Sequence, residues 1–141
     1  IVLGEERVFE LLRDGRPEAL PTTPITAAFA AFRALGKNRI GVLTPYRDDI
    51  NHMVRQYIVD HGFEVPVFGS FNEEDDNRAA RISTDSIRSA VLDIGRHDDV
   101  DAVFLSCTSL RLAQIVVFQF TPLGAGAQGA PREGEFQFTM P

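Results

Sequence analysis

The chain has 141 residues, of which 44% are hydrophobic and 24% are charged, a composition typical of a globular domain with a substantial core. Its net charge of −6 argues against nucleic acid and anionic membranes as main partners. No apolar run approaches the roughly 18 residues of a membrane span, and the first residues lack the basic start and long apolar core of a signal peptide.

The single cysteine, Cys107, excludes an internal disulfide and fits a reducing, cytoplasmic setting. The three histidines show no metal-ligand spacing, and the sequence has no Walker motif, no GxGxxG and no GxSxG. The sequence therefore predicts neither a metal nor a cofactor.

The first part of the chain predicts two helices and a buried strand. Residues 4–15 have the apolar spacing of a helix, with Val8, Leu11 and Leu12 on one face. A proline-rich loop leads to a second helix over 24–35, for which Thr23 is the expected N-cap. The short apolar run over 40–44 is typical of a strand in a parallel sheet.

The middle of the chain continues this alternation. A helix is predicted over 48–61, a strand over 63–68, a loop or irregular helix over 69–80, and a helix over 84–95. Pro66 favours an edge position for its strand, because proline cannot donate to a ladder. The side chains predicted to face inward from the first of these helices are Ile50, Met53, Val54, Tyr57 and Ile58.

A last strand begins at Asp101 and leads through a turn of small polar residues at Cys107 into a further helix. Alternating helices and strands imply an α/β fold, with a mostly parallel sheet between helices in three α/β/α layers. We divide the chain into 1–23, an α/β unit over 24–116, and a Gly/Ala-rich tail over 117–141 that does not fit this pattern.

Two residues with possible chemical roles follow predicted strands. Cys107 is either a small buried residue or a reactive thiol, favoured by a helix N-terminus. Tyr46 either packs a loop or donates a hydrogen bond to a carboxylate or enolate oxygen. Because the carboxyl ends of parallel strands open into one crevice, both residues are expected at the same sheet edge.

Three further polar residues are candidates for substrate binding. Asn77 follows the second strand of the unit and can hold a carboxylate through its amide. Thr108 and Ser109 offer hydroxyl and backbone N–H groups beside Cys107, although helix capping alone explains them. The acidic neighbours of Asn77 are expected to form a solvated surface.

Four segments together resemble the aspartate/glutamate racemase superfamily, and within it the maleate cis–trans isomerase branch with its ectoine-utilisation relatives. The segments are TTPITAA at 22–28, RIGVLTPY at 39–46, DDNRAARIS at 75–83 and DAVFLSCTSLR at 101–111. The resemblance implies one lobe of a two-lobe fold with a catalytic cysteine on each lobe and a small carboxylate substrate between them. It also implies that Tyr46 and Asn77 bind substrate and that Cys107 is the second-lobe cysteine.

In such isomerases, the resemblance implies, the first-lobe cysteine adds to the double bond of maleate, the C–C bond rotates, and the thiolate leaves. The second cysteine assists proton or charge handling. The segment with the first cysteine would precede Ile1, so we expect this chain to be an excised second lobe with little activity alone. Exposed apolar surface on a lone lobe favours homo-oligomers.

Two other functions remain open. One is an arylmalonate-type decarboxylase, in which the second-lobe cysteine alone donates a proton to a carbanion. A cysteine in the turn before Ile1 would favour the isomerase or racemase, and a glycine the decarboxylase. The other is a non-catalytic module that binds a small acid, with Cys107 merely buried.

Overall fold

The computed structural model describes residues 4–110, which form a three-stranded parallel sheet with helices. The strand order is β2-β1-β3, which confirms the predicted α/β class. No helix within these residues is long and apolar enough to cross a membrane. The elements are α1 (Glu5–Gly15), α2 (Pro24–Ala34), β1 (Ile40–Thr44), α3 (Asp48–Asp60), β2 (Phe68–Ser70), α4 (Asp76–Ala79), α5 (Thr84–Gly95) and β3 (Ala102–Leu105).

Strand β1 is buried along its whole length because helices cover both faces of the sheet. Ile40 and Val42 join an apolar cluster with α2 and α3, whereas Leu43 joins a second cluster with α5. Side chains alternate between the faces of a strand, so α2 and α3 lie on one face and α5 on the other. This is the predicted three-layer arrangement.

The N-cap predicted for α2 is present. The hydroxyl of Thr23 accepts a hydrogen bond from the backbone N–H of Thr26 at 3.2 Å, and Pro24 occupies the first helical position. The predicted strand over 63–68 is wrong in its bounds, since β2 begins only at Phe68.

The reason is a break in register around Pro66. Residues before β2 still lie beside β1, where the carbonyls of Glu64 and Val67 accept from the N–H groups of Ile40 and Val42 at 2.8 and 3.0 Å. The step from Glu64 to Val67 is three residues, whereas the matching step from Ile40 to Val42 is two, so one extra residue interrupts regular pairing. Pro66 lies in this interval and has no N–H to donate. The expected edge position is confirmed for β2.

The inward face of α3 differs from the prediction. Val54 and Ile58 are buried, but Ile50 and Met53 are 38% and 37% exposed. Asn51 is buried in their place, on the same stripe as Val54 and Ile58. The helix thus turns a polar side chain toward the sheet.

Helix α1 has no buried residue, and its apolar Leu11 and Leu12 are 54% and 49% exposed. Its described attachment is polar, because the carboxylate of Glu5 accepts hydrogen bonds from the hydroxyls of Thr23, Thr26 and Tyr57. Burial alone would raise the pKa of Glu5, but these three hydrogen bonds hold it below its usual range.

The helix expected after Cys107 and the tail over 117–141 lie outside the described residues. The division into 1–23, 24–116 and 117–141 stays a prediction.

Gly41 lies where β1 touches α5, and a Cβ there would collide with Ile94 and approach Val100 to 3.1 Å. We expect Gly41→Ala to lower the free energy of unfolding by about 1–3 kcal/mol through overpacking. Gly15→Ala is the matched control, because nothing lies within 4 Å of a Cβ at Gly15. Urea unfolding measures both variants, and equal stability of Gly41→Ala and the native chain would contradict this packing.

Glu5→Gln should loosen α1 at neutral pH, because the neutral amide is a weaker acceptor for three hydroxyl groups. A group with a lowered folded pKa contributes stability above its unfolded pKa and loses it as the pH falls. The difference in Tm between native chain and variant should therefore shrink below pH 4.5, the usual pKa of Glu5. Glu10→Gln, which removes an exposed pair with Arg7, should show no such pH dependence.

Candidate functional site

The carboxyl ends of the three strands meet at one edge of the sheet. Thr44 at the end of β1 pairs with Ser70 of β2, and Leu43 pairs with Leu105 of β3. Tyr46 lies two residues beyond Thr44. Cys107 lies two residues beyond Leu105, so the parallel register brings the two predicted side chains together, as expected for such an edge.

The phenol of Tyr46 lies within electrostatic reach of Cys107, which contributes to the shift of its pKa. Burial, then the charge of a Cys107 thiolate and a hydrogen bond to its sulfur, raise the pKa of Tyr46 to about 12. The charge of Asp76 acts in the same direction, whereas a hydrogen bond from Ser106 opposes it. Tyr46 is therefore protonated at neutral pH and available as a hydrogen-bond donor.

Cys107 packs on the opposite face of the sheet from Tyr46. It is half-buried against the apolar cluster of α5, while Tyr46 packs against the cluster of α2 and α3. The backbone N–H of Ser109 donates to the sulfur of Cys107 at 3.3 Å. A backbone donor of this kind stabilises negative charge that a sulfur acquires during a reaction.

The other predicted residues are placed less directly. Asn77 is exposed on α4, where its backbone N–H is bonded to the capping carboxylate of Asp75 at 2.7 Å. No hydrogen bond joins Asn77 to Tyr46 or Cys107 within residues 4–110. Thr108 is exposed, and Ser109 reaches the sulfur through its backbone. The substrate-binding roles of these three residues stay predictions.

The sequence reasoning missed the residues that hold Tyr46. The hydroxyl of buried Thr44 accepts from the N–H of Tyr46 at 3.2 Å, and the amide of Asn51 donates to its carbonyl at 2.7 Å. Ser70 donates to the same carbonyl. The available signal was Asn51 itself, a polar residue in helical spacing with Val54 and Ile58.

Two cavities lie among the described residues, one of them beside the site, and neither suits a dicarboxylate. One of about 260 Å³ is lined by Tyr46, but also by Asp49, Glu73 and Glu74, with only Arg47 to oppose these carboxylates. Arg47 is already paired with Asp49 and Glu74. A larger one, of about 530 Å³, lies between α1 and the end of α3 and contains three glutamates.

The strand-end groups themselves carry the hydrogen-bonding capacity of this edge. Within residues 4–110 no group of three or more histidine, cysteine or acidic side chains is arranged to hold a metal ion. The strand-end groups are neutral donors: the phenol, the thiol, the Ser106 hydroxyl and the backbone N–H groups of the Cys107 turn. Such groups bind an oxyanion through directed hydrogen bonds.

Solved structures with the same fold belong to two kinds of enzyme. A cysteine-to-alanine variant of maleate isomerase Iso from Pseudomonas putida S16, solved with maleate, is 28% identical, with a TM-score of 0.56 over 60% of this chain and 34% of that one. A glycine-to-cysteine mutant of arylmalonate decarboxylase in a sulfate-associated form is 25% identical, with a TM-score of 0.57 over 70% of this chain and 42% of that one.

A third neighbour shows the fold alone. The Nocardia farcinica maleate cis-trans isomerase, bound to TRIS, is 24% identical, with a TM-score of 0.62 over 75% of this chain and 43% of that one. The chain thus spans roughly two fifths or less of the length of these enzymes. No curated protein matches the chain.

The sequence profile that describes arylmalonate decarboxylase matches residues 10–123. This match covers most of the chain, including the Tyr46 and Cys107 segments, and it agrees with the structural neighbours in placing the chain in the aspartate/glutamate racemase-like superfamily. The chain belongs to the arylmalonate decarboxylase family.

Proposed function

We propose that this chain supplies the Cys107 half of a cofactor-independent active site that isomerises a small dicarboxylate, as in maleate cis–trans isomerisation. The observation that carries the proposal is the position of Tyr46 and Cys107 just beyond the carboxyl ends of the paired strands β1 and β3, where the N–H of Ser109 donates to the Cys107 sulfur. The maleate isomerase Iso among the structural neighbours supports the substrate class. A place in ectoine utilisation is the finer form of this proposal.

The proposed reaction needs a thiolate nucleophile on the facing lobe. Its sulfur adds to one carbon of the double bond, and the π electrons move to the other carbon and its carboxylate. The former double bond is now single and rotates. The electron pair then re-forms the double bond in the trans geometry and expels the thiolate, so no proton is gained or lost overall.

In this scheme Tyr46 and Cys107 act on the charge that develops during addition. Tyr46 donates its phenol proton in a hydrogen bond to the substrate carboxylate, which becomes more negative as the π electrons arrive. The S–H group of Cys107 faces the same charge. It can transfer its proton to the carbanion and accept it again before the thiolate of the facing lobe leaves. Asn77, Thr108 and Ser109 would bind the remaining carboxylate oxygens.

The second candidate is an arylmalonate-type decarboxylase, which is favoured by the family match over residues 10–123. Here the bond to one carboxylate breaks and carbon dioxide leaves, while the electron pair moves to the α-carbon and the remaining carboxylate. Cys107 then gives its S–H proton to that carbon, and water reprotonates the thiolate. No second thiol is needed.

Product analysis separates the two candidates. The longest native protein that contains this chain is incubated with maleate and with an arylmalonate, and the products are followed by NMR. Fumarate without loss of carbon supports the isomerase, and an arylacetate with carbon dioxide supports the decarboxylase. Neither product at high enzyme concentration would contradict both. We also propose that the protein is cytoplasmic and that several copies associate. Cell fractionation tests the location, and the molar mass in solution tests the association.

Cys107→Ser should abolish turnover in that protein, because a serine hydroxyl is a much weaker acid than a thiol and gives up its proton far less readily. The fold should stay intact, because the two side chains are similar in size. The rate of product formation measures turnover, and the Tm measures whether the fold is intact. In the 141-residue chain, maleate should slow alkylation of Cys107, the single thiol. Full activity of the serine variant, or alkylation that dicarboxylates leave unchanged, would contradict a catalytic Cys107.

Tyr46→Phe should lower kcat/KM by about 10²–10³-fold, as expected when one oxyanion donor is removed. Tyr57→Phe is the matched control, because the other tyrosine of the chain donates to Glu5 near α1 and not to the strand-end site. Steady-state kinetics compare the two variants. An unchanged rate for Tyr46→Phe would mean that this phenol only packs.

A further inference from the structure

Asn51 is a buried polar side chain that the proposed chemistry does not use. It is 7% exposed and lies on the stripe of α3 that faces the sheet, beside Val54 and Ile58. A buried amide is unfavourable unless its donor and its acceptor both find partners. Its partners therefore indicate why an asparagine occupies this position.

Both polar atoms of Asn51 bind groups at the end of β1. Oδ1 accepts a hydrogen bond from the hydroxyl of Thr44, and Nδ2 donates to the carbonyl of Tyr46 at 2.7 Å. The Thr44 oxygen in turn accepts from the N–H of Tyr46 at 3.2 Å. Thr44 and Asn51 thus bind each other and hold both backbone polar groups of Tyr46.

This closed set of bonds determines the direction of the Tyr46 side chain. With its N–H and C=O both held, the backbone of Tyr46 has little freedom to rotate, so the direction in which its side chain leaves the strand end is fixed. Asn51 lies one turn inside α3, where its own N–H bonds to the carbonyl of Arg47 at 2.8 Å. The start of α3 is therefore joined to the residue that faces the thiol.

Ser70 of β2 supplies a second donor to the Tyr46 carbonyl, but from a different environment. Ser70 is exposed, and its hydroxyl also accepts from the N–H of Asn72 at 3.0 Å. An exposed donor can be replaced by water, whereas the bonds of Asn51 lie in the core. Asn51 is therefore the stronger constraint on Tyr46.

We propose that Asn51 is a positioning residue that, through Thr44 and the backbone of Tyr46, keeps the phenol at the strand-end edge beside Cys107. The inference rests on the proposed function only because that function gives Tyr46 a substrate to bind. The effect of the phenol on the reactivity of Cys107 can be measured without any substrate. A failure of the positioning role is therefore distinguishable from a failure of the proposed activity.

The test uses the reactivity of the single thiol in the 141-residue chain. Asn51→Leu keeps a side chain of similar shape but removes the donor and the acceptor without adding charge. Tyr46→Phe defines the effect of removing the phenol hydroxyl. We expect the profile of Cys107 alkylation rate against pH in Asn51→Leu to differ from the native profile by at least half of the difference that Tyr46→Phe causes.

Asn38→Leu is the matched control. Its exposed amide donates to Glu64 at 3.2 Å near the amino end of β1, so the same substitution there should leave the alkylation profile at its native position. In the active protein, Asn51→Leu should lower kcat/KM by about ten- to a hundredfold through misplacement of Tyr46, and Asn38→Leu should not. A merely structural asparagine would change the Tm alone.

A folded Asn51→Leu with the native alkylation profile would overturn the proposal, and so would a Tyr46→Phe profile that matches the native one. Where Asn51→Leu does not fold, Thr44→Val decides, because it keeps the shape of the buried side chain and removes the hydroxyl between Asn51 and the N–H of Tyr46. If the profile moves but Tyr46→Phe leaves turnover unchanged, the positioning role stands and the proposed function of Tyr46 fails.

Discussion

The buried hydroxyl of Thr44 is the interaction on which the arrangement of the site depends. Thr44 is 0% exposed, and its hydroxyl joins Asn51 of α3 to the N–H of Tyr46. Its carbonyl accepts from Phe71 after β2 at 3.0 Å. One residue thus connects the first two strands and a helix at the edge where Cys107 arrives from β3. A buried polar group with every bond made favours one arrangement over its alternatives.

The charges around this edge limit what it can bind. Arg47 is engaged by Asp49 and Glu74, and the charge of Asp76 acts on Tyr46. In the described part of the site, the proposed anionic substrate would therefore meet neutral donors. Neutral donors that are fixed in place cost little to reorganise, and they favour charge that appears only in the transition state. The rigidity around Tyr46 and the pairing of Arg47 with Asp49 and Glu74 thus support the same kind of catalysis.

Sequence reasoning placed the two main residues because parallel strands have a simple geometry. Tyr46 and Cys107 each follow a short apolar strand, and the rule that carboxyl ends share an edge brings them together without any packing detail. It failed for α3, because apolar periodicity alone predicted Ile50 and Met53 to face inward. It overlooked Asn51, a polar residue that is buried because its hydrogen bonds are satisfied there. It also extended β2 through Pro66, where register depends on backbone bonds that composition does not reveal.

The attachment of α1 supports carboxylate binding by neutral donors alone. Glu5 is bound by three hydroxyl groups, including that of Tyr57 at 2.8 Å. Burial works against its charge, yet the hydrogen bonds outweigh burial and lower the pKa of Glu5. Burial raises the pKa of the Tyr57 phenol to about 12, and it does the same for the phenol of Tyr46. If a phenol and hydroxyls hold a carboxylate of the chain in its ionised form, then a phenol, a hydroxyl and backbone N–H groups at the strand ends are chemically sufficient for the carboxylate of a small substrate.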